Sequence, residues 1–169
     1  MMITLDEFEA GFCDVWRSVQ NDFTHKLIDY EADLQACTYY HLRKHFVDSP
    51  RDFRILCDYH YDASEFRPDI GLELRRSKQI WITLWFKKVY DVLSREDARD
   101  LTEKMPRYQS LGAERGYFCF TAFKDSSERI RAKVNRSTKW ANERHWLVIA
   151  EGFHDRNGKV AEPWSVRVV

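Results

Sequence analysis

The chain has 169 residues, with 27 basic and 27 acidic side chains and so no formal net charge, which argues against a strongly basic nucleic-acid binder. Its 44% hydrophobic and 32% charged content describe one soluble globular domain, residues 1–169, with a sizeable core. No apolar run reaches the roughly 18 residues of a membrane span, no signal peptide opens the chain, and Gly and Pro are too scarce for long disordered tails.

The elements read as follows. Thr4 and Glu7 have the spacing of a capping box, in which hydroxyl and carboxylate satisfy each other's backbone N–H. Leu5, Phe8, Phe12, Val15, Trp16, Val19 and Phe23 then recur at three- and four-residue spacing and predict a long helix with one apolar stripe. A second helix is expected from about Asp29 to about Phe46, broken at Ser49-Pro50. Strand patterning covers Asp52–Tyr61, followed by a polar loop, and then two strands within Arg67–Lys88 joined by the turn RRSK. Ser94 starts a third helix that Pro106 disturbs or ends. Gly116–Phe123 is a nearly continuous apolar run, as in a strand covered on both faces. A basic helix is expected from Ser126 or Ser127 to about Asn142. His145–Ala150 reads as a buried strand, Asn157-Gly158 as a turn, and WSVRVV as a final strand. Three strands in series predict an antiparallel meander, and the later strand–helix–strand predicts parallel pairing. The expected fold is therefore α/β, a mixed sheet with flanking helices on both faces.

On a strand, side chains alternate between faces. Asp69, Gly71 and Glu73 are expected on one face and Ile70, Leu72 and Leu74 on the other. In the next strand Trp81, Thr83, Trp85 and Lys87 are expected to share a face. A hairpin would bring Asp69 near the Trp85/Lys87 end. Phosphodiester hydrolysis needs a hard cation held by carboxylates, and a lysine can orient the nucleophile or stabilise developing charge.

Glu31, Pro68-Asp69 and Lys87, in that order on a helix and two strands, resemble the PD-(D/E)XK nuclease superfamily. The resemblance runs from Glu31 to about Phe123. It implies a restriction-endonuclease-like core at about 29–123, preceded by N-terminal helices at 4–46 and followed by a helix and strands at 126–169. It implies Asp69, Lys87 and Glu31 as catalytic residues and a Mg²⁺ site. The family's second carboxylate falls at Trp85, and indole has an N–H donor but no ligating oxygen. Three readings follow. The metal site is incomplete and the protein works by binding a nucleic acid or a protein partner. Or a relocated carboxylate, Glu73 on the face of Asp69 or Glu31 from the helix, completes a Mg²⁺-dependent nuclease. Or the chain is a non-catalytic regulatory α/β protein.

The charge is unevenly spread. Residues 1–35 carry eight acidic side chains against two basic ones, and residues 124–144 seven basic against three acidic. The asymmetry fits either a phosphate-binding patch or two solvated helix faces that face each other. Arg129, Lys133, Arg136 and Trp140 recur at four, three and four residues, so they share a helix face. The three cations can grip DNA or RNA phosphates, and Trp140 either stacks on a base or belongs to the core. His41 and His45 have a zinc-compatible spacing without a third ligand, and no glycine-rich phosphate loop is present. Four widely spaced cysteines, Cys13, Cys37, Cys57 and Cys119, form no CxxC pair and read as reduced, mostly buried thiols of a cytoplasmic protein.

Overall fold

The computed structural model describes residues 3–46, 53–57, 67–141 and 146–169. Helix α1 (Leu5–Thr24) opens on the expected capping box: the Glu7 N–H donates to the Thr4 hydroxyl at 3.2 Å and the Thr4 N–H to the Glu7 carboxylate at 2.7 Å. Its stripe from Phe8 to Phe23 is buried. The helix closes through a left-handed residue, Lys26 at φ 59°, which lets the Leu27 N–H reach the Asp22 carbonyl at 3.1 Å. Glycine is the usual occupant of that position, and a lysine there costs about 1 kcal/mol. Helix α2 (Glu31–His45) begins two residues later than expected, because the Asp33 carboxylate takes the N–H groups of Asp29 and Tyr30 as a cap. Leu34, Thr38 and Leu42 face inward, as their spacing predicts.

Six strands form one mixed sheet in sequential order. They are β1 (Phe53–Cys57), β2 (Ile70–Leu74), β3 (Ile80–Lys88), β4 (Arg115–Phe123), β5 (Leu147–His154) and β6 (Ser165–Val168). The first three pair antiparallel, β3 with β4 and β4 with β5 parallel, and β6 returns antiparallel on β5. The meander and the crossovers are thus as the order of elements predicts. The first expected strand is described over Phe53–Cys57, and the rest of its pattern and its loop (residues 58–66), the Ser49-Pro50 break and Asn142 lie outside the described residues. β5 runs past Ala150 to His154, because β4 offers it a parallel partner up to Phe123.

Helices cover both faces. On one, α1 and α2 pack Phe8, Phe12, Trp16 and Leu34 against Ile82, Leu84, Phe86 and Tyr117. On the other lie α3 (Arg95–Arg99), α4 (Met105–Ser110) and α5 (Ser127–Ser137), over a core that includes Trp85, Phe118, Phe120 and Ile149. Pro106 disturbs its helix without ending it. Between α3 and α4 the chain widens into a π turn, Asp100–Lys104, in which the Met105 N–H reaches back to Asp100, and the helix resumes across the proline.

Two departures concern faces. Trp81 does not share the face of Trp85: the register shifts at Leu72/Glu73, so Ile80 rather than Trp81 pairs with Glu73. Trp81 joins Phe8 in the α1 core, with its indole N–H on the Glu114 carboxylate at 3.0 Å. The acidic N-terminal helix and the basic α5 pack on opposite faces of the sheet and do not face each other.

Two strand glycines are set by tryptophans. A Cβ on Gly116 would lie 2.4 Å from the Trp146 ring, and one on Gly152 would lie 2.4 Å from the Trp164 ring. Gly152→Ala is expected to lower the stability in urea denaturation by about 1–3 kcal/mol through overpacking; an unchanged midpoint would show that the Trp164 ring swings aside freely.

Candidate functional site

β3 is longer than its partner β2. Their last paired residues are Ile70 and Leu84, so the N–H groups of Phe86 and Lys88, on the β2 side of β3, have no strand opposite them. Two carboxylates replace the missing strand. Asp69 Oδ2 accepts the Phe86 N–H at 2.7 Å, and Glu31 Oε2 accepts the Lys88 N–H at 3.3 Å. Asp69 stands one residue before β2, with its own carbonyl fixed by the Gln35 amide at 2.9 Å. Glu31 opens α2, where the helix N-terminus favours a negative charge.

Lys87 points to the α3 side of this strand end. Its ammonium lies 3.4 Å from Glu31 Oε1 and 3.8 Å from Asp97 Oδ1. Burial pulls the lysine down, but the charges of Glu31, Asp97 and Asp69 outweigh it and hold Lys87 above the ordinary lysine range. Asp69, Glu31 and Lys87 are therefore brought into one electrostatic cluster. Sequence reasoning missed the fourth member, Asp97. Its signal was legible as a second capping box: Asp97 Oδ2 accepts from the Ser94 hydroxyl at 2.6 Å and from the Ser94 N–H at 3.2 Å. The cap fixes that carboxylate, leaving its other oxygen toward Lys87.

The remaining expected residues lie elsewhere. Glu73 is buried, 3.4 Å from the Arg54 guanidinium on β1, and is not part of the Lys87 cluster. Trp85 is 6% exposed, its ring 5.8 Å from that of Tyr108 and 5.1 Å from the Lys104 ammonium, so it is a core side chain of the α3–α5 face. Arg129 donates to the Asp91 carbonyl at 2.6 Å and Lys133 to the Leu93 carbonyl at 2.5 Å, which fastens the connection after β3. Arg136 is exposed. Trp140 packs on Trp146 with its N–H on the Leu101 carbonyl at 2.9 Å, and so belongs with the core. His41 sits 2.7 Å from Asp22 on α1 and joins the two N-terminal helices.

A hard cation at this site would draw on Asp69 and Glu31. Among the described residues no group of three or more His, Cys, Asp or Glu side chains is placed to hold a metal ion. Glu31 and Asp97 face an ammonium, and Asp69 Oδ2 already accepts a backbone N–H. The donor set as arranged is that of a charge-balanced strand cap and does not fit the metal. The described residues also include no helix long and apolar enough to cross a membrane, and their four cysteines form no disulfide but are not mostly buried: Cys119 lies in the sheet core, Cys37 is half-buried, and Cys13 and Cys57 are exposed.

Lys87→Met is expected to destabilise the protein by about 1 kcal/mol at pH 7 in urea titrations. A lysine whose pKa is raised by folding stabilises fully below its unfolded value, about 10.4, and loses that contribution as the pH rises through the higher folded value. The gap between wild type and variant should therefore be flat from pH 7 to 9 and close above pH 10.5. A gap that persists unchanged at pH 11 would assign it to lost packing.

Comparison of the chain with protein-family models, curated proteins and solved structures finds no match.

Proposed function

We propose that the protein is a restriction-endonuclease-like α/β domain with an incomplete metal site, and that it binds nucleic acid without cutting it. The observation that carries this reading is the pairing of Lys87 with Glu31 and Asp97 while Trp85 stands, buried, at the motif's second carboxylate position. In a hydrolytic site the lysine would face a metal-bound water and the carboxylates a cation. Here the lysine neutralises the carboxylates. Glu73 does not replace the missing ligand, because its charge is matched by Arg54. The α5 face supports a modest electrostatic grip only: Arg129 and Lys133 hold backbone carbonyls, and Arg129 and Arg136 are the exposed cations of the three. Binding on that scale agrees with the zero net charge of the chain.

The test is a pair of titrations. Labelled single- and double-stranded DNA and RNA should bind with an affinity that falls steeply between 50 and 200 mM salt, on the order of tenfold or more. With Mg²⁺ or Mn²⁺ added, the same substrates should remain intact and the protein should show no saturable metal uptake. Metal binding that disappears in Asp69→Ala, or cleavage that disappears in Lys87→Ala, would establish the relocated-carboxylate nuclease instead. Absence of binding to every nucleic acid would leave a protein partner as the reading.

A further inference from the structure

The two parallel crossovers leave the carboxyl ends of β3, β4 and β5 side by side, the edge where open α/β sheets hold their ligands. On the α1 side of that edge lies a pocket of about 310 Å³. Lys88 ends β3, Phe123 ends β4 and His154 ends β5, and each lines it. Lys26, Tyr90 and Arg156 line it too, together with one acidic residue, Asp29. Its volume is at the lower end of the roughly 300–1,000 Å³ of small-molecule sites. It is set across the strand from the Lys87 cluster and is independent of the nuclease-like reading.

His154 is the informative group. It is 5% exposed and held between the rings of Phe23 and Phe123, at 4.9 and 5.0 Å between centroids. Its Nδ1 lies 2.9 Å from the Asp155 carbonyl, which only accepts, so Nδ1 carries the proton. Burial, with the Lys88 charge adding to it, pulls the ring below the ordinary histidine range against that hydrogen bond. The neutral ring then has a lone pair on Nε2, which is buried and has no hydrogen-bond partner among the described residues. A buried acceptor without a donor is costly, and a ligand hydroxyl would relieve it.

The cations differ in commitment. Lys88 donates to the Asp29 carbonyl, and Arg156 lies over Phe123 within 3.2 Å of Asp91 and 3.4 Å of Asp125. Lys26 is exposed and makes no ion pair among the described residues. It occupies the left-handed position where glycine would serve the helix better, which brings a lysine to the pocket rim at a conformational cost. Tyr90, 56% exposed and 5.9 Å from the Phe123 ring, offers an aromatic face beside these charges.

We infer that this pocket binds a phosphomonoester attached to a planar ring, with the phosphate on Lys26 and Lys88, the ring against Tyr90, and a ligand hydroxyl donating to His154 Nε2. A free mononucleotide and the phosphorylated end of a nucleic-acid strand share that chemistry. The experiment titrates the ¹⁵N-labelled full chain with inorganic phosphate, adenosine, adenosine 5′-monophosphate, and an oligonucleotide with and without a 5′-phosphate. It follows His154 Nε2 and the amides of Lys26, Lys88 and Gly158. The monophosphate should shift these signals saturably and bind at least tenfold tighter than phosphate or adenosine. Lys26→Gly should weaken it about fivefold or more without lowering Tm, and His154→Gln should weaken it by a similar factor. Tighter binding of the phosphorylated oligonucleotide than of the mononucleotide assigns the strand end as the natural ligand, and the reverse order assigns the free nucleotide. No saturable shift at these residues, or unchanged affinity in both Lys26→Gly and His154→Gln, would overturn the assignment.

Discussion

The charge cluster at the end of the sheet depends on β3 outrunning β2. A strand that extends beyond its neighbour exposes N–H groups that must find acceptors, and here the acceptors are the carboxylates of Asp69 and Glu31. Two carboxylates at one strand end repel each other, and a cation has to balance them. A nuclease would use a metal ion for that purpose. This chain uses Lys87, helped into place by a third carboxylate, Asp97, that a helix cap holds in position. The same backbone requirement thus explains why the residues gather and why they are already satisfied when gathered.

The sheet separates two tasks. On the side of α3 to α5, Trp85 fills the core, and the basic face of α5 ties the connection after β3 through the carbonyls of Asp91 and Leu93. On the α1 side, consecutive residues of the strand end send Lys88 toward a pocket while Lys87 turns to the carboxylates. Alternation along one strand is enough to place a charge cluster and a pocket back to back.

Features that depend on nearest neighbours in the chain were legible in the sequence. The Thr4–Glu7 box, the α1 stripe, the inward face of α2, the meander and the two crossovers all follow from local spacing and the order of elements. The hairpin also placed Asp69 near the Lys87 end of β3, while Glu31 was expected there only from the resemblance. What escaped was set by partners distant in sequence. Trp81 changed faces because a bulge inserts a residue opposite Glu73, and no pattern within β3 alone reveals its partner's register. Asp97 went unread because its approach to Lys87 is set by tertiary packing. Arg129 and Lys133 looked like a phosphate-binding face because the carbonyls they hold belong to a loop some forty residues earlier.

The glycine-framed tryptophan of the last hairpin has a consequence for how the chain assembles. Trp164 lies over Gly152, touches the rings of Trp16 and Phe23, and donates its backbone N–H to the side-chain oxygen of Gln20 on the first helix at 2.8 Å. Neighbouring strands are consecutive in the chain, so the sheet can grow in chain order. The first helix, however, finds this part of its seat only when residues near the C-terminus have been made. During synthesis the apolar stripe of α1 therefore precedes the residues that complete its cover, and part of it stays bare until Trp164 has been made.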